Sequence, residues 1–569
     1  MPRRRTGRPG TFLRSPGGCN ARGKLLRMAR RDAGRGAPLS RRDAGRSVRL
    51  DRQGWRRLSR RTVAHPRHGP HAARLRRPGR RPAVAGRRHT RTAQARLRRR
   101  DDQPAAGRLG PQLADPVSVL AEAWRHAPTQ RRVWALAAPM ILSNLCEPLV
   151  TLVDSAVIGH LPHAHQLGAV AVGGSLFTLL AWAFGFLRMG TTGFAAQACG
   201  RADGDALRRV LLQSLLLGLA LALLLGLLAL PFGAFALGLM QPSAALDALA
   251  REYFHTRLLG LPAVLAGYAL IGWLLGTQNA RAPLAMLLAT SLGNVVLDLW
   301  FVLGLDWGVA GAARASVIAE WSGTLLGLAL ARRALRRYPG RLPWDALRRW
   351  TNWRPLLAVN RDIFLRSLLL QLVFFLITVQ GARLGDATVA ANALLLNGLL
   401  LTAHALDGLA HAVEALCGHA IGSRDRTALQ RSLAVAGLWS LLASLGFALF
   451  FLAGGGLFVG LQTDIPAVRE LAMEYLPYLA VLPLIAVWSY LLDGLFIGAT
   501  RAREMRDAML IAVALALPLA WLLRGLGNHG LWLAFLAFMA LRALSMAAFA
   551  RRLWRQGLAD QAPAAQAAG

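Results

Sequence analysis

Carboxylates lie inside stretches of this sequence that are too apolar to remain in water. Asp154 is the clearest case, within PLVTLVDSAVIGHL at residues 148–161. A charge at the centre of a lipid bilayer costs about 2.5–3.5 kcal/mol on insertion scales, so a partner must compensate for it or a function must use it. We predict that Asp154 binds a proton or a cation, with interhelical hydrogen bonding as the alternative.

A second candidate site is the pair Asn294 and Asp298, in SLGNVVLDLWF. Residues four apart share one face of a helix, so the amide and the carboxylate should meet. A carboxyl group in apolar surroundings resists ionisation and can take up a proton near neutral pH. Two carboxylates and an amide oxygen would also suit Na⁺, and the sequence does not separate these two ions.

Four further acids lie in apolar runs. Asp407 and Glu414 are two turns apart in ALDGLAHAVEALCG, and Asp493 lies in YLLDGLFIG. For these three, ion or substrate binding and a structural role are equally open. For Glu320 we favour a structural pair with Arg314 near the end of a span.

The acids belong to apolar runs of about 20 residues, long enough to cross a ~30 Å hydrocarbon core. Twelve such runs recur, and they predict an all-α polytopic membrane protein. They are placed near 136–159, 168–190, 209–237, 253–276, 282–304, 309–331, 357–381, 388–413, 432–460, 472–498, 505–524 and 530–550.

The connectors after even-numbered spans are rich in arginine, for example RRALRRYPGRLPWDALRRWTNWR after the sixth, as are both ends of the bundle. The odd-numbered connectors hold little beyond Arg251, Arg383, Arg469 and Arg524. By the positive-inside rule, both termini are expected in the cytoplasm.

The two halves of the span region resemble each other. GRADGDAL (200–207) matches GSRDRTAL (422–429), REYF (251–254) matches MEYL (473–476), and GWLLGTQNAR (272–281) matches GLFIGATRAR (494–503). All three pairs have the same offset in residue number: position 200 corresponds to 422, 251 to 473 and 272 to 494. A constant offset indicates duplication, and six spans per copy give parallel repeats, hence two six-helix lobes.

The acids do not follow the repeat. At this offset Asp154 corresponds to Leu376, and Asn294 and Asp298 correspond to positions in LALPLAW. Because the scaffold is duplicated and the ionisable groups are not, the acids are more consistent with function than with a general structural need.

Residues 1–130 differ in composition from the rest of the chain. They hold 35 Lys and Arg against 7 Asp and Glu, which leaves only +11 of the net charge of +39 for the other 439 residues. The segment has low complexity and no apolar periodicity, so it cannot bury a core. We favour a misplaced start, with a real start near Val117, over a disordered tail or a basic arm that works on nucleic acid or lipid.

The expected organisation is therefore an Arg-rich, disordered or mis-assigned segment, an N-lobe with spans one to six, a basic linker, a C-lobe with spans seven to twelve, and a disordered tail. The corresponding ranges are 1–130, 131–337, 338–354, 355–555 and 556–569. The four cysteines lack metal-ligand spacing, and the histidines of HLPHAH (160–165) fit a solvated loop better than a metal site. We expect no catalytic residues, no metal and no cofactor.

Four stretches resemble the DinF branch of the MATE (multidrug and toxic compound extrusion) transporters, and the resemblance covers about residues 133–555. They are PLVTLVDSAVIGHLPHAHQLGAVAVGG, FGFLRMGTTGFAAQACG, ALDGLAHAVEALCG and LLDGLFIGATRAREMRDAML. The resemblance implies a V-shaped pair of lobes that exports organic, often cationic or amphipathic compounds in exchange for H⁺ or Na⁺. It makes Asp154, Asn294 and Asp298 the coupling residues, with Tyr253 and Ser316 as further members of the network.

Three functions are therefore consistent with the sequence. The first is antiport by alternating access, in a monomer of a bacterial inner membrane that takes a small-molecule substrate and no nucleic acid. The second is a flippase of lipid-linked oligosaccharides or other lipids from the same superfamily, which the interior charge, read as mainly acidic, disfavours. The third is a nucleic-acid- or lipid-binding membrane protein that acts through its basic tail.

Overall fold

The computed structural model describes residues 121–122, 124–159, 163–342 and 344–558. For residues 147–158 and 182 it describes the backbone only. The predictions for the Arg-rich segment before residue 121, and for the tail beyond residue 558, lie outside the described residues.

The described chain is almost entirely helical. The helices are α1 Ala127–Gly159, α2 Ala164–Trp182, α3 Phe186–Gly200, α4 Gly204–Met240, α5 Ala244–Leu258, α6 Leu261–Gly276, α7 Arg281–Asp298, α8 Gly308–Leu335, α9 Trp344–Arg348, α10 Arg354–Arg383, α11 Asp386–Gly422, α12 Arg426–Gly460, α13 Pro466–Gly498, α14 Ala502–Leu522 and α15 Gly527–Arg555. A π-helical turn, Leu299–Gly304, follows α7, and 3₁₀ turns follow α9 and α14. We call α1–α8 the N-lobe and α10–α15 the C-lobe.

Every predicted span falls within one of these helices or within a pair separated by a short break. In the described part, eight helical stretches are long and apolar enough to cross a membrane, or nine if the bent pair α5–α6 is one span. One of the eight, Ala502–Arg555, contains both the eleventh and the twelfth predicted span. The helices α1 and α8 do not meet this criterion.

The helix bounds repeat with the same offset as the sequence motifs. The pair α2–α3 covers 164–200 and α11 covers 386–422, while α5–α6 covers 244–276 and α13 covers 466–498. Position 200 again corresponds to position 422, and the start and end of each pair are shifted by that same amount. The duplication seen in short motifs therefore extends through whole helices.

The N-lobe copies are broken where the C-lobe copies are continuous. A turn at 183–185 divides α2 from α3, and a 45° bend divides α5 from α6. Their counterparts α11 and α13 have no such interruption, although α13 contains Pro477 and Pro483. In transporters, interrupted helices are the usual place for ion and substrate sites, because free backbone groups become available there.

The two lobes meet along α1, which packs against α11, and along α3, which packs against the C-terminal ends of α11 and α13. Gly193 makes this approach possible, since a Cβ there would lie 2.1 Å from the carbonyl oxygen of Ile497. The Gln197 Nε2 donates to the carbonyl oxygen of Gly498 at 3.0 Å and to Thr500 Oγ1 at 3.3 Å. We call this contact the lobe seal. It lies at the end of the bundle that carries the arginine-rich even connectors.

Candidate functional site

A cavity of about 710 Å³ lies in the N-lobe, in the half farther from the lobe seal. Its wall comes from α2, α5, α7 and α8, with Gln371 of α10 as a C-lobe contribution. Five residues singled out from the sequence line it together: Tyr253, Asn294, Asp298, Ser316 and Glu320. We call it the N-lobe cavity.

Asn294 and Asp298 form the acidic face of this cavity. They lie one turn apart on α7 and are buried, with 7% and 2% of their surfaces exposed. Asn294 Nδ2 donates to Asp298 Oδ2 at 2.7 Å, so the expected contact across one helical turn is present. The π-helical turn starts at the next residue, and such turns are often found at functional sites.

Glu320 pairs differently from the expectation. Its Oε1 lies 2.8 Å from a terminal nitrogen of Arg257 on α5, whereas Arg314 stacks over the ring of Trp307 at 5.2 Å. The predicted Glu320–Arg314 pair was therefore wrong. Span four begins on the same side of the lobe as span six, so α5 brings Arg257 to Glu320, and both residues line the N-lobe cavity.

Asp154 lies on α1, and its side chain is outside the described residues. Its role therefore stays a prediction.

Asp493 is held inside the C-lobe by two arginines. Its Oδ2 accepts hydrogen bonds from Arg366 of α10 and from Arg542 of α15. All three residues are buried. We call them the C-lobe triad. Two guanidinium groups already neutralise this carboxylate, and Asp493 lines neither the N-lobe cavity nor the cavity of the C-lobe.

Glu414 connects the lobes. Its carboxylate, on α11, lies 3.2 Å from Arg188 on α3, and its side chain is 3% exposed. Asp407, two turns earlier, is partly exposed and makes no ion pair with any described residue. Neither acid lines the N-lobe cavity or the cavity of the C-lobe.

Four arginines were not predicted as interior charges: Arg188, Arg257, Arg366 and Arg542 lie within apolar runs, as the acids do. Arg366 and Arg542 are buried, and Arg188 and Arg257 are partly buried. The expectation that the interior charge is mainly acidic was wrong, because Glu320, Glu414 and Asp493 each meet an arginine. The charge of the interior therefore no longer argues against a lipid flippase.

Reversing one charge of the Arg188–Glu414 pair is expected to weaken the lobe seal. Arg188→Glu places two carboxylates together in a site with little water, and breaking such a pair costs about 2–5 kcal/mol. Thermal unfolding of the purified protein should show a clear fall in the midpoint for Arg188→Glu and for Glu414→Arg.

The double variant Arg188→Glu/Glu414→Arg restores opposite charges and should recover much of the lost midpoint. If the double variant is as unstable as the sum of the two single variants, the pair does not hold the lobes together.

Comparison with known proteins agrees with this architecture. The MatE family model matches residues 139–300 and 363–522, one segment in each lobe. The chain is 47% identical over 435 residues to DNA damage-inducible protein F of Escherichia coli (strain K12), covering 75% of this chain and 94% of that protein. It is 25% identical over 460 residues to Protein DETOXIFICATION 45, chloroplastic, of Arabidopsis thaliana, covering 76% and 80% of the two chains.

Among solved structures, it matches the outward-facing conformation of a multidrug resistance MATE family transporter of the MOP superfamily. The TM-score is 0.67 at 20% identity, covering 76% of this chain and 97% of that one, which shows a shared fold. The spans, the repeat, the two lobes and these matches together identify a multi-pass membrane transporter and not an enzyme: the chain belongs to the DinF branch of the MATE family of small-molecule efflux transporters.

Proposed function

We propose that the chain exports organic, cationic or amphipathic compounds by exchanging them for H⁺ or Na⁺ that binds in the N-lobe cavity. The ion would bind at Asp298, with Asn294 as its neighbour on α7 and Asp154 as the second carboxylate. Tyr253 and Ser316 supply hydroxyl groups on the same cavity wall.

The observation that carries this proposal is the asymmetry between the lobes. At the repeat offset, Asn294 and Asp298 correspond to Ala516 and Ala520, and Ser316 corresponds to Phe538. All three C-lobe residues line a cavity at the equivalent place in the second lobe. The duplication thus kept the cavity in both lobes, and of the two described linings only that of the N-lobe cavity has carboxylates that could hold H⁺ or Na⁺.

The repeat also supports placing Asp154 in this site. Its counterpart Leu376 lines the C-lobe cavity beside Ala516, Ala520 and Phe538. Equivalent positions in parallel repeats face equivalent cavities. Asp154 is accordingly our second carboxylate for the N-lobe cavity.

The arginine distribution supports the sidedness that we propose. The even connectors belong in the cytoplasm by the positive-inside rule, together with both termini, in a bacterial inner membrane. The lobe seal then closes the cytoplasmic half, while both cavities lie in the outer half. This arrangement corresponds to a transporter open to the outside, and the seal must break for access from the cytoplasm.

Partners and coupling ion complete the proposal. We propose a monomer that needs a small-molecule substrate, the bilayer and the ion, with no cofactor and no nucleic acid. H⁺ is favoured over Na⁺, because a proton needs only one carboxylate that can titrate, and Asp298 alone can serve. Of the two carboxylates on the described wall of the N-lobe cavity, Glu320 is already engaged by Arg257.

Uptake of ethidium into everted vesicles tests antiport. With the vesicle interior acidified, the dye should accumulate only when the chain is present, and a protonophore should abolish the accumulation. A Na⁺ gradient without a pH gradient should fail to drive uptake. Uptake driven by Na⁺ alone would name the other ion, and no uptake under either gradient would contradict export of cations by antiport. Movement of a fluorescent lipid instead would favour the flippase.

A further inference from the structure

The C-lobe contains a cavity of about 400 Å³ between α10, α14 and α15. It lies where the repeat places the counterpart of the N-lobe cavity, yet its lining residues include no acid. We call it the C-lobe cavity. The ion chemistry of the first lobe is thus absent from it, which raises the question of what it binds.

The floor of the C-lobe cavity is apolar and aromatic. Ile377, Ala516, Phe535 and Phe538 line it, and all four are buried. Ligand pockets in proteins typically enclose about 300–1,000 Å³ and combine an apolar wall with a few polar groups that orient the ligand. This cavity has the size and the wall for the apolar body of a small organic molecule.

Its mouth carries cationic groups. Arg383 is the last residue of α10, and Arg524 lies in the 3₁₀ turn after α14. Both line the cavity. Gln380 lines it as well, one turn before Arg383 on α10. The guanidinium of Arg524 stacks over the ring of Trp521 at 4.6 Å, which holds it at the rim. Within the described chain, neither arginine forms an ion pair.

Helix α10 separates this cavity from the N-lobe cavity. Gln371 faces the N-lobe cavity, while Val373, Ile377 and Gln380 line the C-lobe cavity. At about 100° per residue, Gln380 points opposite to Gln371. The two cavities are therefore distinct sites in the same half of the protein, on either side of one helix.

We propose that the C-lobe cavity binds an amphipathic organic anion, with its apolar body on the aromatic floor and its anionic group at Arg383 and Arg524. An arginine donates charge-assisted hydrogen bonds to a carboxylate, sulfonate or phosphate, and these are about twice as strong as neutral ones. Because none of the described residues that line the cavity is an acid, the two guanidinium groups favour an anion over a cation. The site goes beyond the proposed antiport and needs no ion gradient.

Equilibrium binding of two matched probes tests the proposal on the full chain in nanodiscs of zwitterionic lipid. Anilinonaphthalene sulfonate has an apolar body with an anionic group, and phenylnaphthylamine has the same body without the charge. With the signal of empty nanodiscs subtracted, we expect saturable binding of the sulfonate. The double variant Arg383→Gln/Arg524→Gln should raise its Kd about tenfold or more, while phenylnaphthylamine binding stays unchanged.

Two further variants locate the site. Ala516→Trp fills the floor and should abolish binding of both probes, with Ala534→Phe as a second filling variant if the first does not fold. Arg469→Gln removes an exposed arginine of α13 outside the cavity and should leave both Kd values unchanged.

Three outcomes would overturn the proposal. They are sulfonate binding that is insensitive to the two arginines, sulfonate binding that survives both filling variants, and loss of sulfonate binding when anionic phospholipid replaces the zwitterionic lipid. The last result would assign the cavity to a membrane lipid. Since no gradient is used, each of these failures is distinguishable from failure of the antiport test.

Discussion

Ion-driven export is expected to fall to the level of empty vesicles when Asp298 is replaced by asparagine. The substitution keeps the size of the side chain and leaves an acceptor for Asn294, but it removes the group that can gain and lose a proton or hold Na⁺. Ethidium uptake into everted vesicles, at equal amounts of membrane protein, measures the effect. Asp154→Asn should have the same result if both carboxylates serve the ion.

The matched control is Asp306→Asn. Asp306 is an exposed acid in the loop between α7 and α8, with a φ of +55°, a conformation that asparagine adopts as readily as aspartate. The variant Asp306→Asn loses the same charge as Asp298→Asn, at a position eight residues away and outside the cavity. It should transport like the unmodified chain. If Asp298→Asn exports as well as Asp306→Asn, the N-lobe cavity is not the coupling site.

The pH dependence gives an independent criterion. In proton antiport, the substrate cation and the proton compete for the deprotonated carboxylate, so cation binding should strengthen as the pH rises. The double variant Asp154→Asn/Asp298→Asn should bind the cation weakly at every pH, because neither of the two proposed carboxylates is left to titrate. A binding curve that rises with pH equally in both proteins would place the titrating group elsewhere.

The helices were predictable from the sequence because length and apolarity decide what can cross a bilayer. The local Asn294–Asp298 contact was predictable for the same kind of reason, since a spacing of four residues fixes a helical face. The repeat offset was also correct, and it extends from three short motifs to whole helices.

The ion pairs were not predictable in the same way. Arg188 and Glu414 are 226 residues apart, and Arg366 and Asp493 are 127 residues apart. Which helices meet is decided by tertiary packing, and no periodicity within one helix carries that information. The expected Glu320–Arg314 pair was wrong because it was chosen for nearness in sequence, whereas Glu320 pairs with Arg257 of α5. A search of the spans for arginines as well as acids would have found the candidates, though not the pairing.

Replacement of Asp493 by alanine is expected to produce the largest loss of stability in the chain. It leaves Arg366 and Arg542 buried and close together, with no carboxylate between them. Removing one partner of a buried ion pair costs about 3–5 kcal/mol, and here the repulsion between two guanidinium groups adds to that cost. Thermal unfolding in detergent and the yield of monodisperse protein measure the effect. Asp464→Ala, an exposed acid in the loop before α13, is the control.

Removing the whole triad separates a structural role from a functional one. The variant Asp493→Ala/Arg366→Met/Arg542→Met buries no charge, and apolar replacement of a complete buried ion cluster is often neutral or stabilising. If the triad only holds α10, α13 and α15 together, this variant should regain most of the stability and should still transport. If it is stable yet transports nothing, the triad takes part in transport, and the charges of the C-lobe interior change partners when the lobes move. Single neutral substitutions cannot make this distinction, because each leaves an unpaired charge whose cost hides any effect on the transport cycle.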